Sequence, residues 1–212
     1  MTVVTIARQL GAAGEAVANR LASALGWRLL DRALVERIAD ELQVAPELVE
    51  ANGERVGGFV ERLGLYLAEG FPESLILPDS PRVSAEVTAR AARRIVTEAA
   101  AADPAVIVGH GAQCILRGQP GALHVLLHAP LAPRVARVAE FHLLDERAAT
   151  ERVRQSDADR RRYVREHFGV DWLDPALYHL SVDTHHFGVE GAAELIWEST
   201  NRTLTRVPTE RG

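Results

Sequence analysis

A single cysteine, Cys114, serves a chain of 212 residues. Internal disulfides are thereby excluded, as is any metal site assembled from several thiolates. Long apolar runs are missing as well. A membrane-spanning helix takes about 20 consecutive apolar residues. The β-branched run at residues 3–6 is far shorter and has no basic stretch before it, so it does not read as a secretory signal. The third absence is an excess of positive charge. The formal net charge is −5, whereas a chain whose main partner is nucleic acid is ordinarily basic. These absences lead us to expect a soluble, cytoplasmic protein with neither membrane nor nucleic acid among its partners.

What is present has the composition of a globular fold, with 47% apolar and 25% charged residues, enough for a sizeable core. The length suits one domain, or one core bearing a smaller cap. Residues 3–7 form a short β-branched run, punctuated afterwards by Gly11 and Gly14. Apolar positions Val17, Leu21, Ala24 and Leu25 recur at helical spacing, and Gly26 closes that helix. "WRLLD" predicts a second strand ending at Asp31. "RALVERIADELQV" then predicts an amphipathic helix with Leu34, Val35, Ile38 and Leu42 on one face.

Residues 43–80 are rich in turn signals, with a short helix expected around 59–68. Ser84 is a good N-cap for a long helix over 85–102. Residues 105–109 and 123–129 read as buried strands. A helix follows Pro130, then two helices separated near Gln155 and Ser156, a strand in "YHLSVDT", and a closing helix in "GVEGAAELIWESTNRTL". Strands alternating with helices predict an α/β fold, a three-layer parallel sheet with helices on both faces. Ligands in such sheets bind at the carboxyl ends of the strands. The loops after Ile6, Asp31, Gly109, Ala129 and Asp183 should therefore converge.

The opening strand–glycine–helix segment, "TVVTIARQLGAAGEAVANRLASALG", has the order of a phosphate-binding loop. It lacks the lysine that such a loop ordinarily places on the terminal phosphates. Gly11, Ala12, Ala13 and Gly14 supply small residues and a helix start, but Glu15 and Ala16 follow where charge is expected. A phosphate cradle and a plain tight βα turn both fit this spacing. Arg8, at the strand end, can act as a bidentate phosphate ligand or as a partner for a nearby carboxylate.

Seven arginines fall between Arg147 and Arg165, interleaved with Asp157, Asp159 and Glu166. This density reads either as a solvated, self-neutralising face or as a lid closing arginines over phosphates. "VIVGHGA" delivers Gly109, His110 and Gly111 to the ligand edge of the sheet. Asp31 and Asp183 end two further strands, where each can bind a ligand or cap a helix. His124 and His128, four apart on a strand, lie about 13 Å from each other and cannot share an ion. His185 and His186 have no companion ligands, so no metal site is expected.

Taken together and in order, "TIARQLGAAGE", "VIVGHGA", "LHVLLHAPLAPRVARV" and "YVREHFGVDWLDPALYHLSVDT" resemble the cytidylate kinase-like family of P-loop nucleoside monophosphate kinases. The resemblance runs from Thr5 to about Ile196 and is weakest over 50–80. It implies a helical monophosphate-binding cap within residues 32–104 and an arginine-rich lid within 145–170. The implied reaction is transfer of the ATP γ-phosphoryl group to a CMP-like acceptor, with Mg2+ bound alongside the nucleotide. By this resemblance Arg8 and residues 11–16 take the phosphate loop, with Arg154, Arg160 and Arg161 supplying further charge to the transferred group. Asp31, Arg37, Gly109, His110, Gly111, Asp157 and Asp183 take the acceptor side, and Tyr163 belongs to the lid pattern.

The sequence departs from the family at four positions. Glu15 stands where its loop has arginine, His110 where its strand-end turn has arginine, and Gln155 and Ala158 where its lid has arginines. A nucleotide- or anion-binding protein of the same fold, without phosphoryl transfer, is the alternative these departures raise. Leu63, Leu65, Tyr66 and Leu67 offer an apolar surface for a homodimer.

Overall fold

The computed structural model describes residues 2–43, 46 and 85–206. Five strands build one sheet: β1 (Val3–Arg8), β2 (Arg28–Leu30), β3 (Ala105–Val108), β4 (Ala122–His128) and β5 (Leu180–Asp183). All adjacent pairs are parallel, in the order β2-β3-β1-β4-β5. Every residue of β1 and β3 is buried, as expected for near-continuous apolar strands covered on both faces. Because β3 and β4 flank β1 on opposite sides, the loop leaving β1 lies at the switch point of the sheet, where a crevice opens at the carboxyl edge.

Alternation along the strands assigns the faces. Val4, Ile6, Val106, Val108, Val125 and Leu127 pack with α1 (Gly14–Leu25) and α7 (Thr184–Arg206). Their neighbours Val3, Ala105 and Ile107 point the other way. There they meet α2 (Arg32–Leu42), α3 (Ala85–Ala102) and α4 (Ala112–Ile115). Ala7 and Leu126 share this second face with Tyr163, Val164 and Trp172. Helix α5 (Leu131–His142) packs on α6 (Glu146–Phe168) through Val135, Val138, Ala149 and Val153. Among the described residues no helix is long and apolar enough to cross a membrane.

The strands and most helices fall where the periodicity placed them, with three differences. Residues 146–168 form one helix, not two. Asp145 caps its start by accepting from the Ala148 amide at 2.7 Å, and Gly169 ends it in the left-handed region. The expected break at Gln155 and Ser156 is bridged by side chains: Gln155 donates to Asp159 and Arg160 donates to Ser156, each four residues away. Conversely, α7 begins at Thr184, ahead of the closing helix read from the sequence. It is interrupted at Gly188, whose φ of 68° and ψ of −176° are not helical. The four-residue α4 follows the strand-end turn with no periodic signal of its own. The expectations for a helix around 59–68, for Ser84 and for the apolar set at 63–67 lie outside the described residues.

Beneath α4 lies a buried polar contact. His124 Nδ1 and Thr5 Oγ1 are 2.8 Å apart. The His124 amide donates to His179 Nδ1 at 2.9 Å, and the two rings stack with centroids 4.9 Å apart. Burial, and then the neighbouring His179, lower the pKa of His124 from 6.5 to about 4. The unfolded chain therefore takes up a proton below pH 6.5 that the folded chain refuses. Stability is full above that pH and falls as pH drops towards 4, by about 3 kcal/mol in all. Urea unfolding should show a loss of about 2 kcal/mol between pH 7 and pH 5 from this group. His124→Gln keeps a polar partner for Thr5 and should flatten that slope. An unchanged slope in the variant would show that His124 is not its source.

Candidate functional site

The loop from β1 to α1 is built around two left-handed residues. Gly11 has φ 79° and Ala13 has φ 52°. A side chain at Gly11 would place its Cβ 2.6 Å from the backbone carbonyl oxygen of Arg134, so both conformation and space demand glycine. Ala13 is the N-cap of α1 and offers no side-chain hydrogen bond to the helix. The first-turn amides of α1 consequently lack a capping acceptor of the usual kind. An anion can take that place, favoured by the positive end of the helix dipole. Glu15 is exposed on the first turn; its backbone carbonyl accepts from Asn19.

Arg8 carries the charge nearest this loop. Its side chain is 9% exposed, and its guanidinium lies 3.8 Å from the Asp31 carboxylate, which is 12% exposed. Its stem fills the space beside Gly14, where a Cβ would come within 2.6 Å of Arg8 Cγ. Glycine at 14 thus lets Arg8 run under the loop and reach the end of β2. Asp31 occupies the N-cap position of α2 without a capping side-chain bond, so of its two sequence readings the structure shows a pairing with Arg8.

Two arginines that the sequence reading passed over meet the same loop. Arg134 Nη1 donates to the Leu10 carbonyl at 3.3 Å and to Asp157 Oδ2 at 2.7 Å. Arg137, one turn later on α5, donates to the Gly11 carbonyl. Arg160, which is buried, sits 3.9 Å from the other Asp157 oxygen and holds Ser156 Oγ at 2.8 Å. Its guanidinium also lies 6.0 Å from the centre of the Trp172 ring. Three arginines therefore share Asp157 and the loop carbonyls, leaving net positive charge here among the described residues. The i, i+3 spacing of Arg134 and Arg137 just after a buried strand was the signal available in the sequence.

The remaining predicted residues divide. Gly109, His110 and Gly111 run consecutively through the left-handed region, with φ of 77°, 55° and 69°. The Gly109 amide donates to the Ile6 carbonyl at 3.0 Å, which sets this turn beside the loop, with His110 buried. Asp183 instead caps α7, accepting from the amides of His185 at 2.8 Å and His186 at 3.3 Å. Desolvation works against its ionisation. Those two amides, with His128 and His185 nearby, outweigh it and hold the carboxylate below its ordinary range. Arg37 pairs with Glu98, and Arg161 with Asp171, both on exposed surface. Arg154 is exposed beside Glu151 and Arg147. The sequence left open whether the arginine-rich helix was a solvated face or a functional one; it is split lengthwise. Asp157, Arg160 and Tyr163 turn inward, while Arg154, Arg161 and Arg165 face solvent.

The fixed positive charge on this site is entirely guanidinium, because all 24 of the chain's basic residues other than histidine are arginine. No lysine from elsewhere in the sequence can replace the one missing from the loop. Comparison with known proteins fixes the lineage. The family model described as "Cytidylate kinase-like family" matches residues 3–186. The chain belongs to the cytidylate kinase-like family. A cytidylate kinase from Aeropyrum pernix is 30% identical over 168 residues, covering 79% of this chain and 90% of the relative. Among solved structures, an uncharacterized protein from Eubacterium ventriosum superimposes with a TM-score of 0.64 at 18% identity, covering 95% of this chain and 99% of its own. A shikimate kinase from Bacteroides thetaiotaomicron does so with 0.53 at 12% identity, covering 94% and 98%. These likenesses carry the fold. Family and fold together support a nucleotide kinase-type phosphotransferase.

The Arg134–Asp157 contact is buried at the arginine and partly buried at the aspartate. Removing one partner should cost about 3 kcal/mol, because the other charge is left uncompensated. Arg134→Met and Asp157→Asn, measured singly and together by urea unfolding, should show a coupling energy of at least about 1 kcal/mol. Strict additivity would mean the two do not act as a pair.

Proposed function

We propose that this protein transfers the γ-phosphoryl group of ATP to a nucleoside monophosphate, with CMP as the acceptor first to be tried. The observation that carries the reading is the N-terminus of α1. It is uncapped by any side chain of Ala13, ringed by Arg8, Arg134 and Arg137, and joined through the Arg8–Asp31 pair to the end of β2. In this reading the amides of Gly11 and of residues 13–16 hold the donor phosphates, while the Ala12 amide closes the loop on the Gln9 carbonyl at 3.1 Å. Arg8 takes the place of the absent lysine, as a planar donor able to bridge two oxygens. Asp31, Arg37 and the Gly109–His110–Gly111 turn face the acceptor. The cytidylate kinase relative supports CMP as the acceptor class, and the arginine-only cradle supports a donor of high negative charge.

The residues fit a nucleotide triphosphate with Mg2+. The helix end is open to an anion, and Glu15 is directed to solvent rather than into the loop. Bound Mg2+ and ATP would supply the transferable phosphoryl group and neutralise part of its charge. The protein's contribution is position and electrostatics, which dominate this class of reaction. Arg160 and Asp157 belong to the segment read as a lid, where Asp157 holds Arg134 and Arg160 in register. Arg154 and Arg161, offered as further charge by the resemblance, have solvent-facing positions and take no part in this proposal.

An ADP-release assay with Mg·ATP across the ribo- and deoxynucleoside monophosphates tests the proposal. Turnover should be fastest with CMP or dCMP. Arg8→Met should lower kcat/KM by about a hundredfold, the size expected for one lost charge on the transition state. Glu15→Gln should lower KM for Mg·ATP about two- to threefold, since an exposed carboxylate acts weakly through water. Well-folded protein that binds ATP yet turns over no acceptor would replace the proposal with a nucleotide-binding role.

A further inference from the structure

A second cleft lies on the face of the sheet opposite α1 and α7. It is walled by α3 and α4 on one side and by the end of α6 with the following segment on the other. Its volume is about 320 Å3, and its described lining is Arg93, Cys114, Arg117, His167, Phe168, Val170 and Leu177. That size suits a small ligand. No carboxylate occurs among the described residues of the lining. Arg93 and Arg117 make no ion pair with any described residue, unlike the arginines Arg90 and Arg94 that flank Arg93. The floor is apolar, and the Arg93 guanidinium lies 5.3 Å from the centre of the Phe168 ring. One face of that planar cation is thus backed by an aromatic ring, leaving the other able to stack on a second.

The cleft is also connected to the candidate active site. Phe168 presses on Gly111 so closely that a Cβ there would lie 2.4 Å from Phe168 Cε2. Gly111 belongs to the strand-end turn beside the phosphate loop. A ligand resting on Arg93 and Phe168 would bear on that turn through one aromatic contact.

We propose that this cleft binds a planar aromatic phosphate of about nucleoside monophosphate size, separately from the loop after β1. The phosphate is held by Arg117 and Arg93, with His167 at the rim, and the ring stacks on the Arg93–Phe168 pair. The site stands on its own lining and does not require that the chain transfer phosphate.

Cys114 lies in the lining and is the only cysteine of the chain, so its rate of modification by a chromogenic disulfide reports occupancy. Naphthyl phosphate, AMP and inorganic phosphate are the probes. At several times its dissociation constant, an aromatic phosphate should slow labelling about fivefold. Inorganic phosphate at the same concentration should do little. Arg117→Ala and Arg93→Met, both surface changes, should weaken protection about tenfold, with Arg117→Lys recovering part of it. ADP release with CMP as acceptor, measured with neither naphthyl phosphate nor AMP present, should stay at the wild-type level in all three variants, separating this cleft from the site after β1. Protection by AMP alone identifies a nucleotide site, and protection by naphthyl phosphate a site for simpler aryl phosphates; either supports the proposal. Equal protection by inorganic phosphate, undiminished protection in the Arg93 and Arg117 variants, or none by any probe overturns it.

Discussion

The contact between Arg134 and the loop after β1 is the constraint on which the site depends. The backbone of Arg134 comes so near Gly11 that only a residue without a side chain fits. Its guanidinium reaches back to the Leu10 carbonyl and forward to Asp157. One residue thereby fixes the distance between the loop, α5 and α6. The loop has no lysine to organise it around an anion and is instead held from behind, by arginines bonded to its own carbonyls. A carbonyl facing α5 directs its peptide dipole away from the crevice, and neighbouring amides are left turned towards it. Among the loop amides, that of Ala12 is given up to the Gln9 carbonyl at 3.1 Å.

An arginine-only chain solves the charge problem differently from a lysine-bearing one. A lysine ammonium is a compact, strongly hydrated charge that moves on a flexible stem. Guanidinium groups are planar and need partners in their plane, so Arg8 lies along Asp31 while Arg134 and Arg160 lie about Asp157. The carboxylates restrain the arginines at the cost of part of their free charge. Within the second cluster the balance stays positive, because Arg137 is held by a neutral carbonyl rather than by an acid. The reversed charge at Glu15 is tolerable in that setting. Water screens an exposed carboxylate, whereas the buried arginines act at lower effective dielectric.

The sheet was legible because burial on both faces writes itself into sequence as continuous apolar strands. Residues 105–108 and 122–128 allow little else. Helix joins were less legible. The stretch at Gln155 and Ser156 looks like a break because Ser156, Asp157 and Asp159 favour turns, yet in the folded chain Gln155 and Ser156 bond to Asp159 and Arg160 one turn on. Gly188 had the opposite effect: it reads as the start of a helix but interrupts one already begun at Thr184. Among the residues of the candidate site, Arg8 and residues 11–16 were open to proposal from their place after the first strand. Arg134 and Arg137 were not, because their function depends on contact with carbonyl groups more than a hundred residues earlier in the chain. No local pattern encodes such a contact.

Two contacts of α6, one near its middle and one at its end, join these observations into one arrangement. Near its middle, Asp157 and Arg160 are tied to α5 and so to the phosphate-type loop. At its end, Phe168 seats on Gly111, in the turn that follows β3. A continuous helix of 23 residues therefore touches the loop after β1 through one set of contacts and the turn after β3 through another. With a joint at 155–156, the half that packs on α5 through Ala149 and Val153 could move without disturbing the half that carries Asp157, Arg160 and Phe168. A single helix cannot, so any shift of α6 along its axis is felt at both edges of the crevice. The side-chain bonds that bridge residues 155–160 are what make the two halves one body. They matter for communication across the site as much as for the stability of the helix.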